Sequence, residues 1–456
     1  IEELNPKLNA YLTVTGDQTL ESAREAGVTL VPPAVNAPPS NALEEQMKIT
    51  DIETFIVDGG WRPWIFVKVS TDQGLTGYGE CSDSRSPQGV VGTIQDLKPL
   101  LVGQDPRAYE MRFWDMVRTQ RQSMGGIAAK AMAGVELALL DVKAKALGIS
   151  VVELFGGPTR DTVRLYWSHC GTSRAFNSDL LGTPPIRSMD DIGALGREVV
   201  ERGFTALKTN IVIPGDPASV WFGGFGGGPG TTDQAVSSRM LRHIETLIGT
   251  FRDAVGPDVD INLDLNFNYK PESAMRIAKV LEQFDLLWLE IDMYDPEAIL
   301  QIKQSTANSI CTGECLTHMR DYLPYFELHA ADVFMIDVPW NGFSQSKKVG
   351  DLAEVFQHNV APHNYYSHLS TFVSASLCAS LPNVRIMEID IDDVPWKDDL
   401  TTATPEIIDG YMTVPSGPGW GADINEDVAR AHIWDGNKRG YAPGGTPSDL
   451  LYGLPS

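Results

Sequence analysis

Positive charge is scarce in this chain: 36 Lys and Arg stand against 60 Asp and Glu, a formal charge of −24. Phosphate backbones are gripped by clustered Lys and Arg, so nucleic acid is excluded as the main partner. Long apolar runs are missing as well. No stretch approaches 18 uninterrupted apolar residues, and Ile1-Glu2-Glu3-Leu4 is neither basic nor apolar, so neither a membrane span nor a signal peptide is expected. Cysteine is sparse and odd in number. Cys81, Cys170, Cys311, Cys315 and Cys378 are widely scattered, which points to reduced thiols and a cytoplasmic location. What is present is ordinary globular material, 43% hydrophobic and 21% charged. That rules out a wholly disordered chain, and 456 residues suffice for two or three domains.

Residues 1–46 stand apart, ending in the proline-rich linker Val31–Ser40, which cannot continue a helix. From Met47 the pattern is regular. Ile52–Val57, Trp64–Val69 and Leu75–Glu80, separated by Gly59-Gly60 and Asp72-Gln73-Gly74, read as a β meander. Ala128–Leu147 then carries apolar residues at helical spacing, giving an α+β domain over 47–162. Beyond Val163 short apolar strands alternate with amphipathic helices, the pattern of repeated βα units. Eight strand ends fall near Cys170, Asn210, Asn266, Glu290, Glu314, Asp337, His363 and Asp390. The span 163–404 matches the roughly 250 residues of a (β/α)8 barrel, so the fold class is α/β. Residues 405–456 are expected to pack back on the α+β domain. The glycine-rich run Gly223–Gly230 lacks a Walker lysine and reads as a mobile loop.

The strand ends carry the chemistry. Ile261–Asp264, Leu287–Glu290 and Ile310–Glu314 each run from apolar residues into a carboxylate, one βα unit apart. In a barrel such ends converge on one mouth. Three carboxylates there repel unless a cation neutralises them, and an all-oxygen set suits Mg²⁺ better than zinc. A helix-capping role would account for one of them but not for three in register. Cys311 and Cys315 flank Glu314 and read as packing thiols. The next two strands end in Asp337 and His363, so the carboxylate can orient the imidazole as a base. On the second strand Lys208 and Asn210 share a face by alternation, and Lys208 points into the same mouth.

With these residues in place, the chain over about 47–430 resembles the enolase superfamily, in its mandelate racemase-like subgroup. The Asp264/Glu290/Glu314 triplet, the Asp337–His363 dyad and the tail Met412–Gly421 all carry the likeness. The resemblance implies a modified TIM barrel, (β/α)7β, under an N-terminal α+β capping domain, and abstraction of the proton α to a carboxylate. It further implies that Asp264, Glu290 and Glu314 hold Mg²⁺, that His363 is a base oriented by Asp337, and that Lys208 contacts the substrate carboxylate. Asn266 corresponds to a substrate-contacting position, and Glu388 to an acidic residue near that carboxylate.

Two departures refine the expectation. The subgroup usually has Lys-x-Lys on the second strand, whereas this chain has Lys208-Thr209-Asn210, and Asn210 cannot act as a base on the second face. Racemisation needs groups on both faces, but elimination runs with one base and an acid for the leaving group, which favours dehydration. Glu290-Ile291-Asp292 replaces the common Glu-Glu-Pro, making Asp292 an outside candidate ligand. Loops of the capping domain would cover the mouth, with Trp61, Arg62 and Trp64 as a lid carrying one cation and Arg85 pairing a distal carboxylate. His169 and Tyr365 are candidate leaving-group acids. The expectation is therefore a homo-oligomeric Mg²⁺-dependent dehydratase acting on a small carboxylate, a sugar acid (aldonate or aldarate). The alternatives are a cycloisomerase or epimerase using the same enolate, and an inactive barrel scaffold.

Overall fold

The computed structural model describes residues 47–225 and 233–436. The 1–46 extension with its linker, residues 226–230 of the glycine-rich run and the last part of the C-terminal segment lie outside the described residues. The chain opens with three antiparallel strands in the order β1 (Ile49–Asp58), β2 (Pro63–Thr71), β3 (Thr76–Glu80). The β1–β2 turn closes through Gly59 N–H donating to Arg62 O at 2.9 Å, with Gly60 at φ +81°, a conformation glycine adopts without strain. Helices Pro87–Leu101, Tyr109–Thr119 and Gly126–Leu147 pack on this sheet. The third can lie flat on β3 because β3 presents Gly77 and Gly79. A Cβ on either would fall 2.2 Å from a helix carbonyl.

The second part is a curled, all-parallel sheet of β4 (Thr162–Ser168), β5 (Ala206–Thr209), β8 (Asp260–Asp264), β9 (Trp288–Glu290), β10 (Ile310–Thr312), β11 (Val333–Asp337), β12 (Asn359–His363) and β13 (Met387–Asp390). A small antiparallel pair, β6 (Val212–Ile213) and β7 (Ser219–Val220), lies between β5 and β8. β13 pairs with β4, and a parallel bridge between Val360 and Val384 links the β12 side. Helices follow each of the first seven barrel strands. After β13 the chain instead turns into β14 (Ile407–Ile408) and β15 (Tyr411–Thr413), with β15 antiparallel to β4, so the barrel is of (β/α)7β type.

Period-two alternation decides what faces inward. Leu165, Trp167, Leu207, Leu289, Phe334, Ile336, Met387 and Ile389 join the large core shared with the helices, while Tyr166, Ala206, Trp288, Met335, Ala361 and Ile386 fill the barrel interior. Two residues further along the inward set come Ser168, Lys208, Glu290, Asp337, His363 and Glu388, so the same alternation that fills the floor with apolar side chains places polar ones above it. The capping domain is fixed over this end by buried carboxylates. Glu80, ending β3, accepts from Ser367 Oγ at 2.5 Å and Ser370 N at 3.2 Å at the start of helix His368–Ser380, and Glu136 accepts from Phe343 N at 2.9 Å and Ser344 N at 3.0 Å at the start of helix Phe343–Val355. Negative charge suits these positive helix ends. Within the described residues, Gly419, Trp420 and Glu426 of the C-terminal segment lie against the capping domain. Trp420 Nε1 donates to Tyr78 O at 3.1 Å, and Glu426 accepts from Tyr78 Oη at 2.8 Å.

Candidate active site

A cavity of about 290 Å³ opens where the barrel strands end. Its floor is the acidic cluster. Asp264, Glu290 and Glu314 each offer a carboxylate oxygen, all within 4.8 Å of one another, and all three residues are buried. Burial and the neighbouring carboxylates push the Glu290 carboxyl up to about 7, although Lys208 opposes the shift, and push Glu314 well above its ordinary range. Such uncompensated charge among hard oxygen donors is what a divalent cation relieves, so the donor set fits a magnesium-like ion. Asp292 sits beside the cluster as a buried carboxyl raised to about 8, and with Glu314 and Cys315 it forms a second group able to approach an ion. Cys315, expected to be a packing thiol, lines the cavity, whereas Cys311 is buried in the barrel interior.

Lys208 is 2% exposed and reaches three carboxylates, with Nζ 2.8 Å from Glu388, 3.2 Å from Glu290 and 4.0 Å from Asp264. Burial alone would lower its pKa, but the charges of Glu290 and Glu388 outweigh that and raise it well above the usual lysine range. Glu388 responds in the opposite sense. Burial would raise it, yet Lys208, His363 and His169 draw it down to about 2. Glu388 also accepts from Asn364 N at 2.8 Å, so it is held behind the cavity wall rather than in the open.

Asp337 and His363 are paired across the β11–β12 register, and His363 Nδ1 lies 2.6 Å from Asp337 Oδ2. The carboxylate accepts further bonds from Tyr366 Oη at 2.5 Å and Trp340 N at 2.9 Å, which fix its plane. His363 Nε2 is the nitrogen left for the cavity, 3.2 Å from Glu314. Burial disfavours the imidazolium, but Glu314, Glu388 and Asp337 together push its pKa up to about 10.

Asn210 is used fully. Its oxygen accepts from Thr172 Oγ1 at 2.9 Å, and its Nδ2 lies 3.2 Å from Asp264 and 3.3 Å from Asn266 Oδ1. Asn266, at φ +46°, also donates to Asp264 through Nδ2 at 2.8 Å, so two amides orient one carboxylate. Trp61, Arg85, His169 and Tyr365 line the cavity, and the Trp61 and Tyr365 rings stack with centroids 5.6 Å apart.

The Arg62 expectation requires correction. Arg62 is 2% exposed and does not line the cavity. Its Nη2 donates to Asp390 at 2.8 Å and Asp393 at 2.9 Å, and its Nε to Tyr365 O at 2.5 Å. A buried guanidinium binds the carboxylates that neutralise it, so it fastens the capping domain to β13 rather than facing a substrate. Trp64 is likewise fully buried in the core and forms no lid. Tyr366, Trp340 and Thr172 were missed in the sequence because they lie beyond strand ends, where no periodicity marks them. Asp390 obeys the strand-end rule and was legible as a terminal carboxylate.

The family model for the enolase C-terminal domain-like region matches residues 191–428, and that for the mandelate racemase / muconate lactonizing enzyme N-terminal domain matches residues 16–156. The chain is 29% identical over 395 residues to D-xylonate dehydratase of Haloferax volcanii, covering 85% of this chain and 90% of that protein. It is also 29% identical over 395 residues to D-gluconate dehydratase of Thermoproteus tenax, covering 83% and 73%. Among solved structures, one from Burkholderia xenovorans strain LB400, described as a proposed L-alanine-DL-glutamate epimerase bound to magnesium and fumarate, aligns with a TM-score of 0.82 at 39% identity over 85% of this chain and 96% of that one. Carboxylates at the ends of three successive barrel strands, a cap fastened over them, and both matched domains place the chain in the mandelate racemase / muconate lactonizing enzyme family of the enolase superfamily.

Proposed function

We propose that this chain is a Mg²⁺-dependent dehydratase of a sugar acid, an aldonate or aldarate, yielding the 2-keto-3-deoxy acid. One observation carries the reading. The mouth offers a dyad base, His363–Asp337, while the second-strand position where the subgroup usually has its other base is Asn210, already bonded to Thr172, Asp264 and Asn266. An elimination needs only one base. The dehydratase names of the two sugar-acid relatives agree with this reading.

Asp264, Glu290 and Glu314 would hold the metal, and family enzymes use one. When bound, Mg²⁺ supplies Lewis-acid stabilisation for the charge that develops on the substrate carboxylate. Lys208 contributes a second fixed positive charge at that carboxylate, with its ammonium pre-oriented by Glu290 and Glu388. Neutralising Glu314, the largest of the charges that raise His363, would free the imidazole to take the C2 proton on Nε2, while Asp337 accepts from Nδ1 and stabilises the imidazolium that forms. The stacked rings of Trp61 and Tyr365 exclude water above the reacting carbons.

The test is a panel of aldonic and aldaric acids incubated with enzyme and Mg²⁺ and assayed for 2-keto acid. Product from at least one member, lost with EDTA, is the expected result. A second reading, epimerisation or cycloisomerisation through the same enolate, is favoured by the 39%-identical structure described as an epimerase. It would appear as loss of substrate configuration or ring closure without 2-keto product.

A further inference from the structure

The mouth contains a second histidine–carboxylate dyad that the base chemistry leaves unused. β4 and β13 are adjacent parallel strands with Ser168 opposite Asp390, and His169 follows Ser168 immediately. His169 Nδ1 lies 2.7 Å from Asp390 Oδ1. The construction repeats that of His363 and Asp337 on β12 and β11: a strand-end carboxylate, a histidine from the neighbouring strand, and an Nδ1 contact that leaves Nε2 over. His169 lines the cavity, and its Nε2 has no hydrogen-bond partner among the described residues. The two imidazoles flank the same ring. The Tyr365 centroid is 5.8 Å from that of His169 and 4.9 Å from that of His363.

Three further features show that the dyad is built. Asp390 is buried, and its other oxygen accepts from Arg62 Nη2 at 2.8 Å, so the carboxylate is fixed on both sides and stays ionised. An ionised Asp390 requires the proton on His169 Nδ1, so any proton exchanged with the cavity passes through Nε2. Trp61, beside Arg62 in the same turn, meets the His169 ring edge-on at 5.3 Å and limits its rotation. Finally, His169 has φ +47°, a left-handed conformation uncommon for a non-glycine residue, immediately after the end of β4.

We infer that His169, held by Asp390 and through it by Arg62, is the general acid that protonates the departing C3 hydroxyl. This rests on the dehydratase reading above. Tyr365 is the rival in the same wall, and His169 is preferred on the geometry of its dyad, with Nδ1 held by Asp390 and Nε2 left over. The step balances. His363 removes the C2 proton, and the C–H electron pair enters the C1–C2 enediolate. That pair then forms the C2=C3 bond as the C3–O bond breaks, and the leaving oxygen takes the His169 Nε2 proton and departs as water. The enol left behind ketonises by gaining a proton at C3 and losing one from the C2 hydroxyl. His363 returns its proton to solvent and His169 regains one.

The test uses wild type, His169→Asn and His169→Gln, the Asn amide N–H standing where Nδ1 donates to Asp390. The probes are a sugar acid turned over by wild type and its 3-deoxy-3-fluoro analogue, the pair being D-gluconate and 3-deoxy-3-fluoro-D-gluconate if gluconate is turned over. Fluoride leaves without a proton. We expect both variants to lose about 10²–10⁴-fold in 2-keto product from the hydroxy acid. Both should still release fluoride from the analogue within about tenfold of wild type, and in D₂O should wash deuterium into C2 of unreacted hydroxy acid. Unchanged dehydration in both variants would overturn the assignment. So would equal loss of dehydration, fluoride release and C2 exchange in a folded variant, because His169 would then serve the base side or the structure. A wild type that makes no 2-keto acid from the panel refutes the dehydratase reading itself, which separates the two failures.

Discussion

Replacing Lys208 by methionine removes the cation from a site with three carboxylates and leaves its apolar stem largely intact. The consequence for stability can be worked from Glu388. Burial would raise that carboxyl, but Lys208 is the largest of the charges that bring it down from 4.5 to about 2. At about 1.4 kcal/mol per unit the shift corresponds to roughly 3 kcal/mol, of the same order as the cost of leaving one partner of a buried pair uncompensated. The sign follows from linkage. In wild type the depressed group contributes stability that is present above about pH 4.5 and lost as the pH falls toward 2. In Lys208→Met burial dominates, so Glu388 sits above its unfolded value and ionising it costs stability as the pH rises. The variant should therefore trail wild type by about 3 kcal/mol at pH 5 and by more at pH 8, in EDTA. Urea unfolding followed by circular dichroism at the two pH values measures the gap. A variant as stable as wild type, or a gap no wider at pH 8 than at pH 5, would refute the picture of Lys208 as the counter-charge of this site.

His363→Asn should keep the fold and lose at least about 10³-fold in turnover, together with C2 deuterium exchange, since Asn cannot hold the abstracted proton. Retained exchange would remove His363 as the base. Mg²⁺ should raise the thermal midpoint of wild type and not of a Glu290→Gln/Glu314→Gln double variant, because ligand binding stabilises only a state that has the site; equal shifts in both would place the ion elsewhere. Arg62→Met should destabilise by about 3–5 kcal/mol by stranding Asp390 and Asp393 and should speed proteolysis at the β1–β2 turn. A variant with wild-type stability would mean that the cap is not fastened there.

Much of this site was legible because barrel strands obey two simple rules. Side chains alternate, and polar residues at strand ends converge, so Asp264, Glu290, Glu314, Asp337 and His363 could be grouped from spacing alone. What escaped reading depends on contacts made far along the chain. Arg62 looked like a mouth cation because its partners, Asp390 and Asp393, lie more than 300 residues away and nothing local signals them. Tyr366 reaches Asp337 only through the geometry of the turn after β12. The left-handed backbone at His169 is one that histidine tolerates better than most side chains, but nothing in the local sequence marks this histidine as the one paired with Asp390.

The way the capping domain is finished has a consequence for how the protein is made. Asp58 N–H donates to His432 O at 2.8 Å, Trp434 N–H donates to Ile56 O at 2.9 Å, and Val57 bridges Ile433, so the free edge of β1 is covered by a segment that follows the entire barrel. During translation the meander emerges before the barrel and before the segment that covers that edge. At about 5–20 residues per second the covering segment arrives on the order of tens of seconds later. Through that interval the β1 edge lacks those partners, and a strand edge left unpaired is open to other chains. The capping domain therefore completes only once the barrel has been synthesised, and ribosome-stalled chains ending before residue 430 should recruit chaperones that the released protein no longer needs.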